Sequence, residues 1–189
     1  MNQDHLRLIE KFDQKCIENH LSYFIIGGYA STYWGQSRTT LDVDYVVKKT
    51  DFDLVKNVMD QLEYELLFVH PKMSYSHFKT KVGLGVRVDF MMVDDGTWSH
   101  LEKDSQSANF GEGKPYPIIG PIHLISMKLH SASQPDRQEA FKDLNDILGI
   151  CIAQNIALSE LEDKGILTKY GNERSITRLR DLFSDRGRG

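Results

Sequence analysis

Apolar residues recur at three- and four-residue intervals from about Asp4 to His20, at Leu8, Ile9, Phe12, Cys16 and Ile17. That period predicts an amphipathic helix. A short apolar run, Phe24 to Ile26, then meets the pair Gly27-Gly28, and a helix-compatible segment follows. After Gly35 a polar turn holds Arg38, Thr39 and Thr40, and the chain re-enters a strand that carries Asp42 and Asp44. The stretch therefore reads as strand, glycine turn, helix, strand. Thr50 or Asp51 can cap a further helix whose buried stripe is Phe52, Val55, Val58, Met59 and Leu62. A strand from Tyr64 to Val69 runs to a break at Pro71, and Tyr75 to Lys81 with Leu84 to Val93 reads as a hairpin around Gly83.

The remainder is more helical. From Asp94 to Pro117 the chain is polar and Gly-rich, with Trp98 and Phe110 as anchors, and predicts loops with a short strand pair. After Pro121 a helix runs through IHLISMKLHSA with Ile122, Ile125 and Leu129 inward. Lys128 lies beside that stripe, so its ammonium can be directed into a cleft while its stem stays apolar. A second helix is expected from about Asp136 to Ala153, carrying Arg137, Lys142, Asp143 and Asp146, and shorter ones over Leu158 to Ile166 and Asn172 to Phe183.

Side chains on a strand alternate between faces, so Asp42 and Asp44 share one side while Leu41, Val43 and Tyr45 take the other. Adjacent carboxylates repel and suit a sheet poorly. A divalent cation reverses that argument, because hard oxygen ligands suit Mg²⁺ and the ion's charge dominates nearby. The glycine pair lets the backbone turn sharply and approach a ligand closely, and the following helix start offers N–H groups to a phosphate. Either feature alone is often structural: Asp-x-Asp occurs in surface strands, and Gly-Gly is a turn. Their order, with Arg38 and Thr40 leading into the first carboxylate, favours a phosphate cradle at one end of the stretch and a metal seat at the other.

In VRVDFMMV, Val86, Val88, Phe90 and Met92 lie on one face and Arg87, Asp89 and Met91 on the other. An acid within so apolar a strand needs a partner. Asp89 is either neutralised by a basic neighbour or is a third carboxylate brought beside Asp42 and Asp44 by strand pairing; the second reading is preferred. The seven histidines show no zinc spacing, and His70, His77, His123 and His130 read as surface or structural residues.

At 189 residues, 40% hydrophobic and 26% charged, the composition suits one globular domain, or one with a helical appendage. No stretch has the apolar length of a membrane span, and the start MNQDHLRLIEKF lacks a signal pattern. Cys16 and Cys151 form no metal or redox motif. A reducing cytoplasm is the expected setting. The net charge of −4 is uneven: from Lys164 onward seven basic residues face three acids. Such an end suggests contact with nucleic acid or an acidic partner, or else a solvated helix face with a frayed RGRG terminus.

The pattern of an apolar residue, Gly27-Gly28, a spacer and Asp42-Val43-Asp44-Tyr45 resembles the signature of the DNA polymerase beta-like nucleotidyltransferase superfamily. GGYAS…RTTLDVDYVV, with Lys128, Arg137 and KDLNDI further on, is most similar to the abortive-infection type E (AbiEii-like) toxin nucleotidyltransferases. Small antibiotic-modifying nucleotidyltransferases share that core, and the resemblance covers about Tyr23 to Ile150. It implies an α/β (α+β) nucleotidyltransferase fold, a mixed twisted sheet flanked by helices, with a C-terminal helical segment. Residues 1–120 would form the catalytic core with its N-terminal helix, and 121–189 a helical segment packed on it. Gly27 and Gly28 would cradle the triphosphate. Many relatives have serine at the second position, leaving Ser31 as a substitute. Asp42, Asp44 and Asp89 would bind Mg²⁺ or Mn²⁺ and carry catalysis. Arg38 and Lys128 would offset phosphate charge, and Asp143 and Asp146 match a later acidic motif.

The implied reaction moves a nucleoside monophosphate from an NTP such as ATP to a hydroxyl on an RNA or tRNA end, a protein or a small molecule. The implied setting is the toxin of a toxin–antitoxin or phage-defence system, with an antitoxin partner and no membrane. The alternative is a non-catalytic nucleotide-binding regulatory or antitoxin-like module. Degenerate relatives usually lose a carboxylate, and all three are present here. A dinucleotide-binding fold fails, because GGYASTY is not G-x-G-x-x-G.

Overall fold

The computed structural model describes residues 3–70, 74–83, 85–110 and 113–186. Pro71, Leu84 and Gly187 to Gly189, on which the expected strand break, a hairpin strand start and the frayed terminus fall, lie outside them. The chain divides into two compact units, Met1–Ala30 with Arg38–Gly120, and Ser31–Ser37 with Pro121–Gly189.

The first unit is built on a seven-stranded mixed sheet of β1 (Phe24–Ile25), β2 (Asp42–Lys48), β3 (Tyr64–His70), β4 (Tyr75–Thr80), β5 (Arg87–Val93), β6 (Gln106–Ala108) and β7 (Tyr116–Ile118). Their spatial order is β3-β4-β5-β2-β1-β7-β6. β2 runs parallel to β5 and antiparallel to β1, while β4 and β5 form the expected hairpin pair. Among the described residues this unit carries α1 (Gln3–Asn19), α3 (Phe52–Gln61) and α4 (Asp95–Lys103). The seven-residue α2 (Gly27–Tyr33) starts in it.

Alternation in β2 sets the core. Val43, Tyr45 and Val47 are fully buried on one face, and Phe12 of α1 stacks on Tyr45 with ring centroids 4.3 Å apart. The α1 stripe is rotated from its expected position: His5 and Asp13 are buried with Leu8, Ile9, Phe12 and Cys16, whereas Ile17 is 59% exposed. Leu41 precedes the strand and is exposed. Before α3 a 3-10 turn, Lys49–Asp51, feeds straight into the helix. Asp51 stands at the cap position without a capping side-chain bond, so neither expected cap acts as one.

One helix contradicts the sequence expectation. The polar stretch after Asp94 forms α4, not a loop. Asp94 caps it, accepting from the Thr97 N–H at 2.8 Å, and Trp98 and Leu101 bury one face. Trp98 stacks on Phe24 with centroids 4.6 Å apart. A bare spacing of two anchors among polar residues and Gly96 was too short for a periodic signal. The short strand pair expected in this stretch is β6 with β7.

The second unit is helical: α5 (Pro121–Ala132), α6 (Ala140–Ala153), α7 (Leu158–Asp163), α8 (Ile166–Tyr170) and α9 (Glu173–Arg186). The buried face of α5 comprises Leu124, Ile125, Lys128, Leu129 and Ala132, with Ile122 only half-buried. α6 starts later than expected, at Ala140, because turns and bends occupy most of 133–139. Among the described residues no helix is long and apolar enough to cross a membrane.

Candidate active site

Strand pairing assembles the acidic cluster. In the β2–β5 register Asp44 stands opposite Asp89 and Asp42 opposite Arg87. Asp42, Asp44 and Asp89 each offer a carboxylate oxygen within 4.8 Å of the others'. Asp89 is 1% exposed, whereas Asp42 and Asp44 are half-buried. Three carboxylates this close repel strongly unless compensated.

The compensation comes from three neighbouring strand residues and one turn residue. Arg87 donates from Nη2 to Asp42 Oδ2, and its Nε lies 3.5 Å from Asp89 Oδ2. Tyr75 donates its hydroxyl to Asp89 Oδ2 at 2.5 Å, and His77 Nδ1 meets Asp89 Oδ1. Thr40 donates to Asp42 Oδ1 at 2.8 Å. Burial pushes the Tyr75 phenol well above its ordinary pKa, and the adjacent Asp89 carboxylate adds to this. Burial works against the Arg87 charge, but Asp89 and Asp42 outweigh it and raise its pKa.

The glycine turn closes on the same carboxylates. Gly27 has φ +61°, and a Cβ there would stand 1.9 Å from Asp44 Oδ2. The Gly28 N–H donates to that oxygen at 3.4 Å. A Cβ on Gly28 would lie 2.5 Å from Thr40 Oγ1 and 3.2 Å from Arg38 Nη2. A side chain at either position would have to displace Asp44 or Thr40, so the spacing of the motif has a steric reason. Arg38 is thereby placed over Gly28, half-buried.

Asp42, Asp44, Asp89, Gly27, Gly28 and Arg38 thus come together in the first unit. Ser31 and Lys128 lie in the second. Ser31 is fully buried and donates to Asp146 Oδ2 at 3.5 Å. Lys128 is 6% exposed, with its ammonium 2.5 Å from Asp146 Oδ2 and 3.7 Å from Asp143 Oδ1. Asp143 also accepts from Ser131 at 3.0 Å and from Arg137 Nε at 2.9 Å.

Sequence reading missed Tyr75 and His77 as parts of this cluster, treated Arg87 only as a residue on the Asp89 face, and had Thr40 only as part of the approach to Asp42. Tyr75 and His77 share parity on β4, and the hairpin register sets His77 opposite Asp89. That alternation was the available signal. The donor set fits a hard divalent cation: three carboxylates, no thiolate, and a glycine where a Cβ would fill the space against Asp44.

No protein-family model matches the chain, and no curated protein matches its sequence. Solved structures do resemble it. The antibiotic-resistance factor ANT(2'')-Ia, in complex with adenylyl-2''-tobramycin, superposes with a TM-score of 0.63 at 14% identity, covering 95% of this chain and 98% of that one. The lincosamide antibiotic adenylyltransferase LnuA, lincomycin-bound, gives 0.52 at 15% identity over 83% of this chain and 98% of that one. An antigenic nucleotidyltransferase-like protein from Paracoccidioides brasiliensis gives 0.56 at 15% identity over 89% and 92%. At such identities the likeness speaks for architecture, and the seven-stranded mixed sheet with its flanking helices is the nucleotidyltransferase fold.

Proposed function

We propose that this chain is a metal-dependent nucleotidyltransferase that moves a nucleoside monophosphate from an NTP to a hydroxyl acceptor. The observation that supports it most is the pairing of Asp44 with Asp89 on parallel strands, with Asp42 beside them and the Gly27-Gly28 turn against Asp44. Asp42 and Asp44 would hold Mg²⁺ or Mn²⁺ with Asp89 as third ligand. Bound there, the ions neutralise phosphate charge and lower the pKa of the attacking hydroxyl.

The chain's own residues have the following parts. The backbone at Gly27 and Gly28, which carries no Cβ of its own, receives the triphosphate, and the Arg38 guanidinium offsets its charge. The acceptor oxygen bonds to the α-phosphorus as the bond to the β-phosphate's bridging oxygen breaks and pyrophosphate leaves. Asp89 takes the hydroxyl proton. Tyr75 and His77 hold the Asp89 carboxylate in place, and Arg87 with Thr40 holds Asp42. Ser31 and Lys128 join the nucleotide-binding set on the motif resemblance alone. The named structural neighbours include adenylyltransferases, which favours ATP as donor. The motif from Gly27 to Val47 favours a toxin of the AbiEii-like kind, with an antitoxin partner. Two free, buried cysteines suit a cytoplasmic setting.

The test incubates purified protein with Mg²⁺ or Mn²⁺, each labelled NTP in turn, and either total RNA or the protein alone. Label is expected to move to an acceptor, and Asp42→Asn or Asp44→Asn to abolish transfer while the fold survives. Turnover retained by either variant would reject the metal assignment. Metal-dependent nucleotide binding without transfer would favour the regulatory module.

A further inference from the structure

The second unit holds a small cleft of about 40 Å³ that the reaction above does not use. It lies between the turn after α5 and the start of α9, lined by Gln134, Arg137, Asn172, Arg174 and Arg178 among others. One water needs about 10–15 Å³ of such space. The cleft therefore has room for a tetrahedral anion and little more.

The charges around it are unevenly satisfied. Arg137 is engaged by Asp143 at 2.9 Å and Glu139 at 3.6 Å. Two other cations of the segment are also matched: Arg180 with Glu162 at 2.8 Å and Lys164 with Glu160 at 3.7 Å. Arg174 and Arg178 are exposed and make no ion pair among the described residues. They stand four residues apart on α9, so they share a face, with about 6 Å of rise between them. Two cations of the basic surplus beyond Lys164, Arg174 and Arg178, thus line the cleft. Guanidinium groups present forked donors that match phosphate oxygens.

We propose that this cleft seats one backbone phosphate of a single nucleic-acid strand, and that Arg174 and Arg178 on the exposed face of α9 take that phosphate and its neighbour. Two cations a helical turn apart suit a repeating polyanion better than one free phosphate. The inference deepens the proposed transfer reaction and rests on that reading only for its meaning: the strand would be the acceptor.

Binding is measured by fluorescence anisotropy with labelled 20-nucleotide RNA and DNA strands, over a salt series, on the Asp44→Asn full-length protein without NTP or metal. This separates the two readings, since binding does not require transfer and loss of transfer does not touch binding. For single strands each neutralised phosphate contributes about −0.7 to the slope of log K against log salt. Arg174→Gln/Arg178→Gln is expected to weaken binding about tenfold or more and to flatten that slope by about 1.4. Arg174→Lys/Arg178→Lys, which keeps the charges, should retain most of the slope, and both variants should melt like the parent. Stronger binding of RNA than DNA would name RNA as the source of the strand. Three results would overturn the proposal: no strand binding, an unchanged slope in the glutamine variant, or equal competition by inorganic phosphate at the same phosphate concentration.

Discussion

Lys128→Met tests the buried charge network of the second unit. The ammonium is 6% exposed and stands 2.5 Å from Asp146, itself 1% exposed, with Asp143 at 3.7 Å. Methionine keeps most of the stem volume and removes the charge. Asp143 retains Arg137 at 2.9 Å, but Asp146 loses the cation that compensates it. Removing one partner of a buried pair costs about 3–5 kcal/mol, because a desolvated charge is left behind. In a chain of this size each kcal/mol shifts the melting temperature by about 2–4 °C, so a fall of roughly 6–20 °C is expected. Urea unfolding followed by circular dichroism gives the free energy directly. Lys128→Met/Asp146→Leu removes both charges and should recover most of the loss, since apolar replacement of a buried pair is often neutral or stabilising. A single-variant loss below about 1 kcal/mol, or a double variant as unstable as the single, would refute the reasoning.

Two further predictions concern the first unit. Gly27→Ala places a methyl group where Asp44 Oδ2 now stands, at a φ of +61°. A left-handed backbone costs a residue with a Cβ about 1–2 kcal/mol, and Asp44 must move as well. Denaturation should report that loss, Mn²⁺ titration a weakened site; metal affinity equal to the parent's would contradict the steric account. Burial lowers the pKa of His5 below its ordinary 6.5, with Asp42 and Asp4 pulling the other way. The folded state therefore resists a proton that the unfolded chain accepts, so this contribution to stability is present above pH 6.5 and lost as pH falls through the folded value. NMR titration of the His5 ring should give a midpoint below 6.5, and a midpoint at or above it would sink the assignment.

The sequence by itself determined the elements whose signal is local. α1, the β4–β5 hairpin and the strand–turn–helix–strand around Gly27 follow from periods of 3.6 and 2 and from glycine's freedom, all readable within one window. It also put Asp42 and Asp44 on one strand face, and the acid among Val88, Phe90 and Met92 left Asp89 either a basic neighbour or a place as third carboxylate; the structure gives it both, with Arg87 and His77 beside it. α4 escaped because its cap and two anchors, Trp98 and Leu101, make too short a pattern around Gly96. Only the tertiary structure decided which groups compensate the carboxylates. His77 and Tyr75 reach Asp89, and Arg87 reaches Asp42, through cross-strand registers that no sequence window contains; Thr40, two residues from Asp42, is the local exception. The same holds for Lys128, whose partner Asp146 lies 18 residues away on another helix. A helix period says which side of α5 is buried; which charge waits there is settled by how α5 packs on α6, because pairing in a low-dielectric interior depends on distances that only packing sets.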